Sequence, residues 1–90
     1  MTVYLLHLSR PIRGKRHYIG ITGDPDTRLR LHVELGGGSA ITRKAKKLGI
    51  AVRVARTWKN ADHSFERTLK RRKDAKRLCP LCLLFGPRSE

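Results

Sequence analysis

Three short stretches in the first third of the chain decide the fold. They read Val3-Tyr4-Leu5-Leu6, His17-Tyr18-Ile19-Gly20 and Arg28-Leu29-Arg30-Leu31-His32. The first two are rich in apolar and aromatic residues, which favours strands, and each contains a tyrosine. The third is typical of a helix and places an arginine and a histidine four residues apart, on one face.

The two strands are predicted to form a β-hairpin. Residues 2–9 form the first strand, the basic segment Arg10 to Arg16 forms a long loop, and residues 17–22 form the second strand. The hairpin brings Tyr4 and Tyr18 onto adjacent strands. Whether the two rings share a face depends on the register, which the sequence alone does not determine.

The first helix is predicted to begin at Asp24-Pro25-Asp26. Asp24 is a typical N-cap, and proline at the first helical position is favourable there. The helix should end near Leu35, before three glycines. We expect Leu31 and Leu35 to belong to its buried stripe, flanked by Val33 or Leu29.

Two more helices and one more strand complete the predicted order. A basic surface helix runs from Ala40 to Leu48, between a serine cap and the stop glycine Gly49. A third strand follows over residues 50–58 and can pair with either edge of the hairpin. The last long helix runs from about His63 to Arg77. The order β-β-α-α-β-α predicts a small α+β domain.

The charge of the chain indicates a polyanionic partner. Lysine and arginine total 21 against 7 acidic residues, which gives a net charge of +14. A charge of this size repels itself unless the partner is a polyanion, so nucleic acid is the expected partner. An anionic membrane surface and a basic surface that serves solubility alone are the alternatives. The apolar fraction of 39% is enough for a packed core and argues against a disordered chain.

Ninety residues are enough for one domain with a modest core. We expect this domain to span residues 1–78, and residues 79–90 to form a tail that packs on it or extends from it. No apolar run approaches the roughly 20 residues that a membrane span needs, and no secretory leader is recognisable. We therefore expect a cytoplasmic protein with no membrane partner.

Five side chains suit the hydrolysis of a phosphodiester, which needs a base, charge stabilisation and usually a divalent metal. Arg28 can bind two phosphate oxygens at once, and His32 can hydrogen-bond the phosphate or move a proton. Glu66 is one acid among many cations, so it should be ionised and able to hold Mg²⁺ or Mn²⁺ together with water and phosphate. Tyr4 and Tyr18 are phenols, which serve as bases only where neighbouring cations favour the phenolate.

Each of these residues also has a simpler explanation. Strand tyrosines usually pack, and an arginine–histidine pair at helical spacing is usually a solvated face. Glu66 can pair with Lys70, an i,i+4 contact worth only about 0.3–0.5 kcal/mol. Composition and spacing therefore support nucleic-acid binding well and an enzyme only weakly.

The order of the motifs between residues 2 and 77 resembles the GIY-YIG nuclease family. The matching motifs are Val3-Tyr4, Tyr18-Ile19-Gly20, Arg28 with His32, Gly38 to Arg43, and Phe65-Glu66-Arg67. They are similar to the paired tyrosine signature, the R-x-x-x-H helix, the Gly-x-x-x-Thr loop and the helix that carries the glutamate. The chain departs from the family pattern at Thr2, where the opening glycine of the first signature is expected.

The resemblance implies a three-stranded antiparallel sheet flanked by helices and a metal-dependent endonuclease that cuts DNA with one Mg²⁺ or Mn²⁺ ion. Tyr4 and Tyr18 would line the site, one of them activating water, with Tyr18 preferred. Arg28 would stabilise the phosphate, His32 would assist and Glu66 would hold the metal. A non-catalytic protein of the nucleoid or ribosome, with the same fold and a basic nucleic-acid-binding surface, is the alternative.

A small catalytic module without a separate recognition domain should have low sequence specificity. Its affinity should come from phosphate contacts and fall steeply with salt. The candidate contacts are Arg13, Lys15, Arg16, Ser39, Thr42, Arg43, Lys44, Lys46, Lys47 and Lys70. The sequence does not determine whether single-stranded, duplex or branched DNA is preferred, nor the oligomeric state.

Cys79 and Cys82 form a C-x-x-C motif near the C-terminus. The motif is half of a zinc site, which needs two further ligands, from His7 or His63 or from a second protomer. A redox pair is a second interpretation. In the third, two small apolar side chains pack the tail against the core.

Overall fold

The computed structural model describes residues 1–73 and 75–85, except the side chains of residues 76 and 83–85. It confirms the α+β class and the three-stranded antiparallel sheet. The strands are β1 (Thr2–Ile12), β2 (Lys15–Thr22) and β3 (Val52–Trp58), in the spatial order β2-β1-β3. β1 is therefore central, and β2 forms one open edge.

The connection between β1 and β2 is shorter than predicted. Both strands extend into the basic segment, and Ile12 pairs with Lys15, so only Arg13 and Gly14 form the turn. Both have positive φ angles, 53° and 81°, which is the backbone that a two-residue hairpin turn requires. The predicted long loop is wrong because this turn lets pairing resume at Ile12. The register is irregular between His7 and Ile12, a stretch that contains a proline without an N–H.

The first helix changes its winding halfway. α1 (Pro25–Arg30) is α-helical, with Asp24 accepting from the backbone N–H of Thr27, and continues as one π-helical turn over Leu31–Leu35. A π turn has more residues per turn than an α-helix, so side chains rotate relative to the α-helical pattern. The expectation that Leu35 is buried is therefore wrong, since it is 67% exposed, and Val33 is exposed as well. His32 is the fully buried residue of this turn.

α2 (Ala40–Leu48) lies where the sequence predicts it. Ser39 accepts a hydrogen bond from the backbone N–H of Thr42, and Gly49 ends the helix in a left-handed conformation. Its Thr42 and Ala45 are buried against the sheet, so this basic helix also contributes to the core.

β3 begins at Val52, two residues later than predicted, because Ile50 still bonds back to the end of α2. β3 pairs with β1 and contains a register shift at Leu5/Leu6, opposite Arg56 and Val54.

The last predicted helix is broken into shorter ones, which corrects the prediction of one helix to Arg77. α3 (His63–Arg72) ends at Lys73 in a left-handed conformation; α4 (Ala75–Leu78) and α5 (Pro80–Phe85) follow. Continuing the helix from Leu69 at a spacing of three to four would direct Arg72 and Lys73 towards the core. The break instead places Ala75 and Leu78 there. Residues 74 and 86–90 of the predicted helix and tail lie outside the described residues.

Two cores cover the two faces of the sheet. The first core contains Tyr4, Leu6 and Leu8 of β1 with Ala45 of α2, and Tyr18, Leu29 and Ile41 pack against it. The second core contains Val3, Leu5, Ile19, Leu69, Cys79 and Cys82, with aromatic packing from Trp58 and Phe65. β1 thus contributes alternate residues to both faces, as a central strand must. In the described part of the chain no helix is long and apolar enough to cross a membrane.

Candidate functional site

The register of the hairpin places the two tyrosines on one face. Tyr4 pairs with Gly20, and Leu6 pairs with Tyr18, so the tyrosines are diagonal neighbours with ring centroids 6.3 Å apart. Gly20 is required by this arrangement, because a Cβ there would lie 2.3 Å from Tyr4 Oη. The missing side chain lets the Tyr4 ring lie across the edge strand β2.

A buried hydrogen-bond chain orients the Tyr4 hydroxyl. Thr42 Oγ1 donates to the Gly37 carbonyl at 2.7 Å, so it accepts from His32 Nδ1–H at 3.3 Å. Nε2 of that tautomer is unprotonated and accepts the Tyr4 O–H at 2.8 Å. Tyr4, His32 and Thr42 are each at most 1% exposed.

The π turn and the glycine loop make room for the imidazole. Gly38 has a φ of 88°, and a Cβ there would lie 2.6 Å from His32 Cε1. Because the loop backbone touches the ring directly, the loop that follows the helix acts as a wall of the His32 pocket. The Gly-x-x-x-Thr pattern therefore has a physical purpose, since Gly38 admits the ring and Thr42 fixes its tautomer.

Burial sets the protonation states of this chain of groups. It raises the pKa of Tyr4 to about 12, with Tyr18 adding to the rise and the Arg28 guanidinium opposing it. Burial also lowers the pKa of His32 below its usual value, although the nearby Gly37 carbonyl acts in the opposite direction. At neutral pH Tyr4 is a phenol and His32 a neutral imidazole.

Tyr18 and Arg28 stand at the accessible side of this buried pair. The Tyr18 ring is 5.6 Å from the His32 ring and only half-buried. Arg28 is exposed, yet lies close enough to Tyr4 to affect its pKa. The five predicted catalytic residues therefore divide into a buried pair, Tyr4 and His32, and groups that solvent or a substrate can reach.

Glu66 approaches from the second core. It lies on α3, which packs against β2, and its negative charge contributes to the raised pKa of Tyr4. Its side chain is 13% exposed, and Oε2 lies 3.1 Å from Lys70 Nζ. The simpler explanation of Glu66 as an i,i+4 partner of Lys70 is thus also realised in the structure.

A groove of about 1070 Å³ runs along the open edge of β2. Tyr18 lies in its wall, together with the start of α2 at Ser39 and the end of α3. The cations that line it come from the hairpin and from α3. They are Lys15, Arg16, Lys70 and Lys73. An extended anion fits a cationic channel of this kind beside the tyrosine.

The predicted nucleic-acid contacts fall into three groups. Lys15, Arg16, Ser39 and Lys70 line the groove. Thr42 is fully buried and its hydroxyl positions His32, so it is not placed to contact a phosphate. The remaining cations are exposed but do not line the groove; they are Arg13, Arg43, Lys44, Lys46 and Lys47.

Three features escaped the sequence analysis. Lys73 lines the groove, although the prediction of one straight helix gave it no special position. Gly20 was recognised only as part of a motif, without its contact to Tyr4. His17 stands with His7, Cys79 and Cys82 in one cluster, whereas His63 is not part of it. The alternation of β1 predicts that His7 lies on the same face as Val3 and Leu5. That His17 is its neighbour could be known only from the register of the two strands.

The comparison with known families agrees with this geometry. The model of the GIY-YIG catalytic domain matches residues 1–78, which is most of the 90-residue chain. No curated protein and no solved structure gave a match. The tyrosine pair, the arginine–histidine helix and the glutamate of α3 all lie within the matched segment. The chain therefore belongs to the GIY-YIG family of endonucleases.

Proposed function

We propose that this protein is a metal-dependent DNA endonuclease of low sequence specificity. The observation that carries the proposal is the buried Tyr4–His32 hydrogen bond beside the Tyr18 ring, with Arg28 and Glu66 near enough for their charges to act on Tyr4. A protein that only binds nucleic acid has no need for a buried phenol and imidazole of defined tautomer beside its cationic groove. Such a pair is of use where a proton or a charge must be controlled during a reaction.

Tyr18 is the better placed of the two tyrosines to take the proton of the attacking water. The Tyr4 proton is donated to His32, and burial raises the pKa of Tyr4 to about 12, so a Tyr4 phenolate is strongly disfavoured. Tyr18 lies in the wall of the groove, where a substrate and its water can reach it. Tyr4 and His32 then act as positioning residues that support the Tyr18 ring from the core side.

Arg28 and Glu66 supply the charges that a phosphodiester requires. The exposed Arg28 guanidinium can bind two phosphate oxygens and stabilise the charge that develops on them. Glu66 suits Mg²⁺ or Mn²⁺, because one carboxylate with waters and substrate phosphate is a common arrangement for these ions. When bound, the ion would polarise the phosphoryl oxygens. Lys70 occupies one side of the carboxylate and would have to move aside.

Low specificity follows from the chemistry of the groove. Its charged groups are lysine and arginine side chains, which suit contacts to phosphates, and phosphates are the same in every sequence. DNA is the expected polyanion because the members of the family act on it.

A cleavage assay with binding measured in the same samples tests the proposal. Single-stranded, duplex and branched DNA would be incubated with Mg²⁺, Mn²⁺ or a chelator. Glu66→Ala and Tyr18→Phe should lower the cleavage rate by about 10²–10⁴-fold while leaving binding nearly unchanged. Glu34→Ala is the matched control, since this glutamate makes an exposed ion pair with Arg30 on the outer side of the helix.

Metal-dependent cleavage that Glu34→Ala retains and the two site variants lose supports the enzyme. Tight, salt-sensitive binding without cleavage of any substrate would refute it. That result would leave the alternative of a non-catalytic nucleic-acid-binding protein on a nuclease fold.

A further inference from the structure

Two histidines and two cysteines meet on the face of the sheet opposite the Tyr4–His32 pair. His7 and His17 are directly paired across β1 and β2, with ring centroids 5.4 Å apart. Cys79 precedes α5 and Cys82 lies in its first turn; both are buried, and no disulfide joins them. One donor atom from each residue lies within 4.8 Å of all the others.

We propose that these four residues bind one structural Zn²⁺ ion. Zinc bonds of about 2.3 Å to sulfur and about 2.0 Å to nitrogen place sulfur and nitrogen about 3.5 Å apart across a tetrahedron. In the structure, His7 Nδ1 lies 3.4 Å from Cys79 Sγ and 3.5 Å from Cys82 Sγ. His17 Nε2 lies 3.1 Å from Cys82 Sγ. These three nitrogen–sulfur distances are close to those of a tetrahedral site, and all four donors lie within 4.8 Å of one another.

The donor set selects the metal. Two thiolates and two imidazoles are a frequent zinc set, and four protein ligands leave no open position for a substrate or water. Among the described residues, no carboxylate belongs to this cluster, so Mg²⁺ and Ca²⁺ are poor candidates. The site is therefore distinct from the Glu66 carboxylate in both chemistry and position.

Charge and protonation are compatible with zinc. On binding, the two thiols release their protons to solvent, and the two thiolates balance the two charges of the ion. Each neutral imidazole offers one nitrogen lone pair to the ion.

The ion would join the C-terminal helix to the hairpin. Cys79 and Cys82 lie just beyond the segment 1–78 that matches the family, whereas His7 and His17 lie within it. The core of a 90-residue domain is small, and a structural metal adds binding free energy directly to folding. It would hold α4 and α5 against β1 and β2, and with them the end of the groove at Lys73 and Ala75.

The test is the metal content of the full chain together with Co²⁺ substitution. We expect one zinc per chain after purification. Co²⁺ should give the sulfur-to-cobalt charge-transfer band and the intense d–d bands of a tetrahedral thiolate site. His17→Asn removes a direct ligand and should weaken zinc binding by at least about 10–100-fold, the factor that loss of an outer-shell partner alone costs. Zinc affinity is measured by competition with a chromophoric chelator. His63→Asn is the matched control, and Glu66→Ala should also keep the zinc.

Several outcomes would overturn the proposal. One is a wild-type chain that takes up no zinc and gives only the weak spectrum of octahedral Co²⁺. Another is a His17→Asn chain that binds zinc as tightly as wild type. A purified chain that is two hydrogen masses lighter and has no titratable thiol would contain a disulfide between Cys79 and Cys82. That result would assign the motif to a redox pair instead. Because loss of a ligand can unfold the domain, the Co²⁺ spectrum of the wild-type chain stands as the independent measurement.

Discussion

At the scale of single residues, the contact between the Tyr4 ring and Gly20 leaves no room for a side chain at position 20. An alanine Cβ at position 20 would lie 2.3 Å from Tyr4 Oη and 2.4 Å from Cζ, and the Tyr4 ring is fully buried. The ring must therefore move away from His32. Gly20→Ala should destabilise the domain by about 1–3 kcal/mol and, since a displacement of about 1 Å in a site can cost 10²-fold, lower cleavage by about that factor.

Gly23→Ala is the control for this substitution. A Cβ at position 23 has only the end of Met1, 3.9 Å away, within reach, and the backbone there needs no positive φ. Urea unfolding and single-turnover cleavage should show little change for this variant. Equal losses in Gly20→Ala and Gly23→Ala would contradict the assigned contact between Gly20 and Tyr4.

His32 links the stability of the domain to pH. Its folded pKa is lowered from 6.5, so below about pH 6.5 the unfolded chain takes up a proton that the folded chain refuses. The contribution of His32 to the free energy of unfolding should be constant above about pH 6.5 and should decrease as the pH falls below that value. A protonated His32 can no longer accept the hydrogen bond from the Tyr4 hydroxyl. The groups that face the ring include Tyr18 and the cation Arg28.

The measurement is urea unfolding followed by the fluorescence of Trp58, for wild type and His32→Gln, between about pH 5 and 8. Glutamine retains an acceptor and a donor but does not titrate. His7 and His17 are present in both chains, so the difference between the two profiles isolates His32. A fall towards acid pH that is equally steep in both proteins would refute this assignment.

At the scale of elements, the sequence predicted the three strands and the starts of α1, α2 and α3, but not the junctions between elements or the break between α3 and α4. Caps such as Asp24 and Ser39 are local signals, and both make the hydrogen bonds expected of them. The two-residue turn at Arg13 and Gly14 was not predicted, because arginine rarely adopts a positive φ and its presence in the sequence does not indicate one. The end of α3 at Lys73 was missed for the same reason.

The candidate site residues could be named from the sequence, and they stay a prediction, whereas their geometry was only partly predictable. Tyr4, Tyr18, Arg28, His32 and Glu66 were all named from the order of the motifs. Helical periodicity placed His32 beside Arg28 on one face, whereas the π turn buries His32 completely and leaves Arg28 exposed. The change of winding and the register between β1 and β2 are tertiary outcomes, since each is selected by what packs against the other face.

At the scale of the whole molecule, the net charge of +14 indicates a polyanionic partner, and the cationic groove is the surface proposed to bind it. The sequence named cations on α2 as well as on the hairpin, because composition cannot tell which basic surfaces adjoin the site. The structure separates them: Lys15 and Lys73 line the groove beside Tyr18, whereas Lys44 and Lys47 do not.

Salt dependence of DNA binding distinguishes the two surfaces. Each phosphate contact contributes about −0.9 for duplex or −0.7 for single-stranded DNA to the slope of log K against log salt concentration. The double variant Lys15→Ala/Lys73→Ala should reduce the magnitude of that slope by about two such units, because both ammonium groups lie in the groove. Lys44→Ala/Lys47→Ala removes the same charge from α2 and should change the slope far less.

The measurement is fluorescence anisotropy with a catalytically inactive Glu66→Ala background at several salt concentrations. Equal reductions by both pairs would show that bound DNA extends over α2, and a loss confined to the α2 pair would place the binding surface away from the groove.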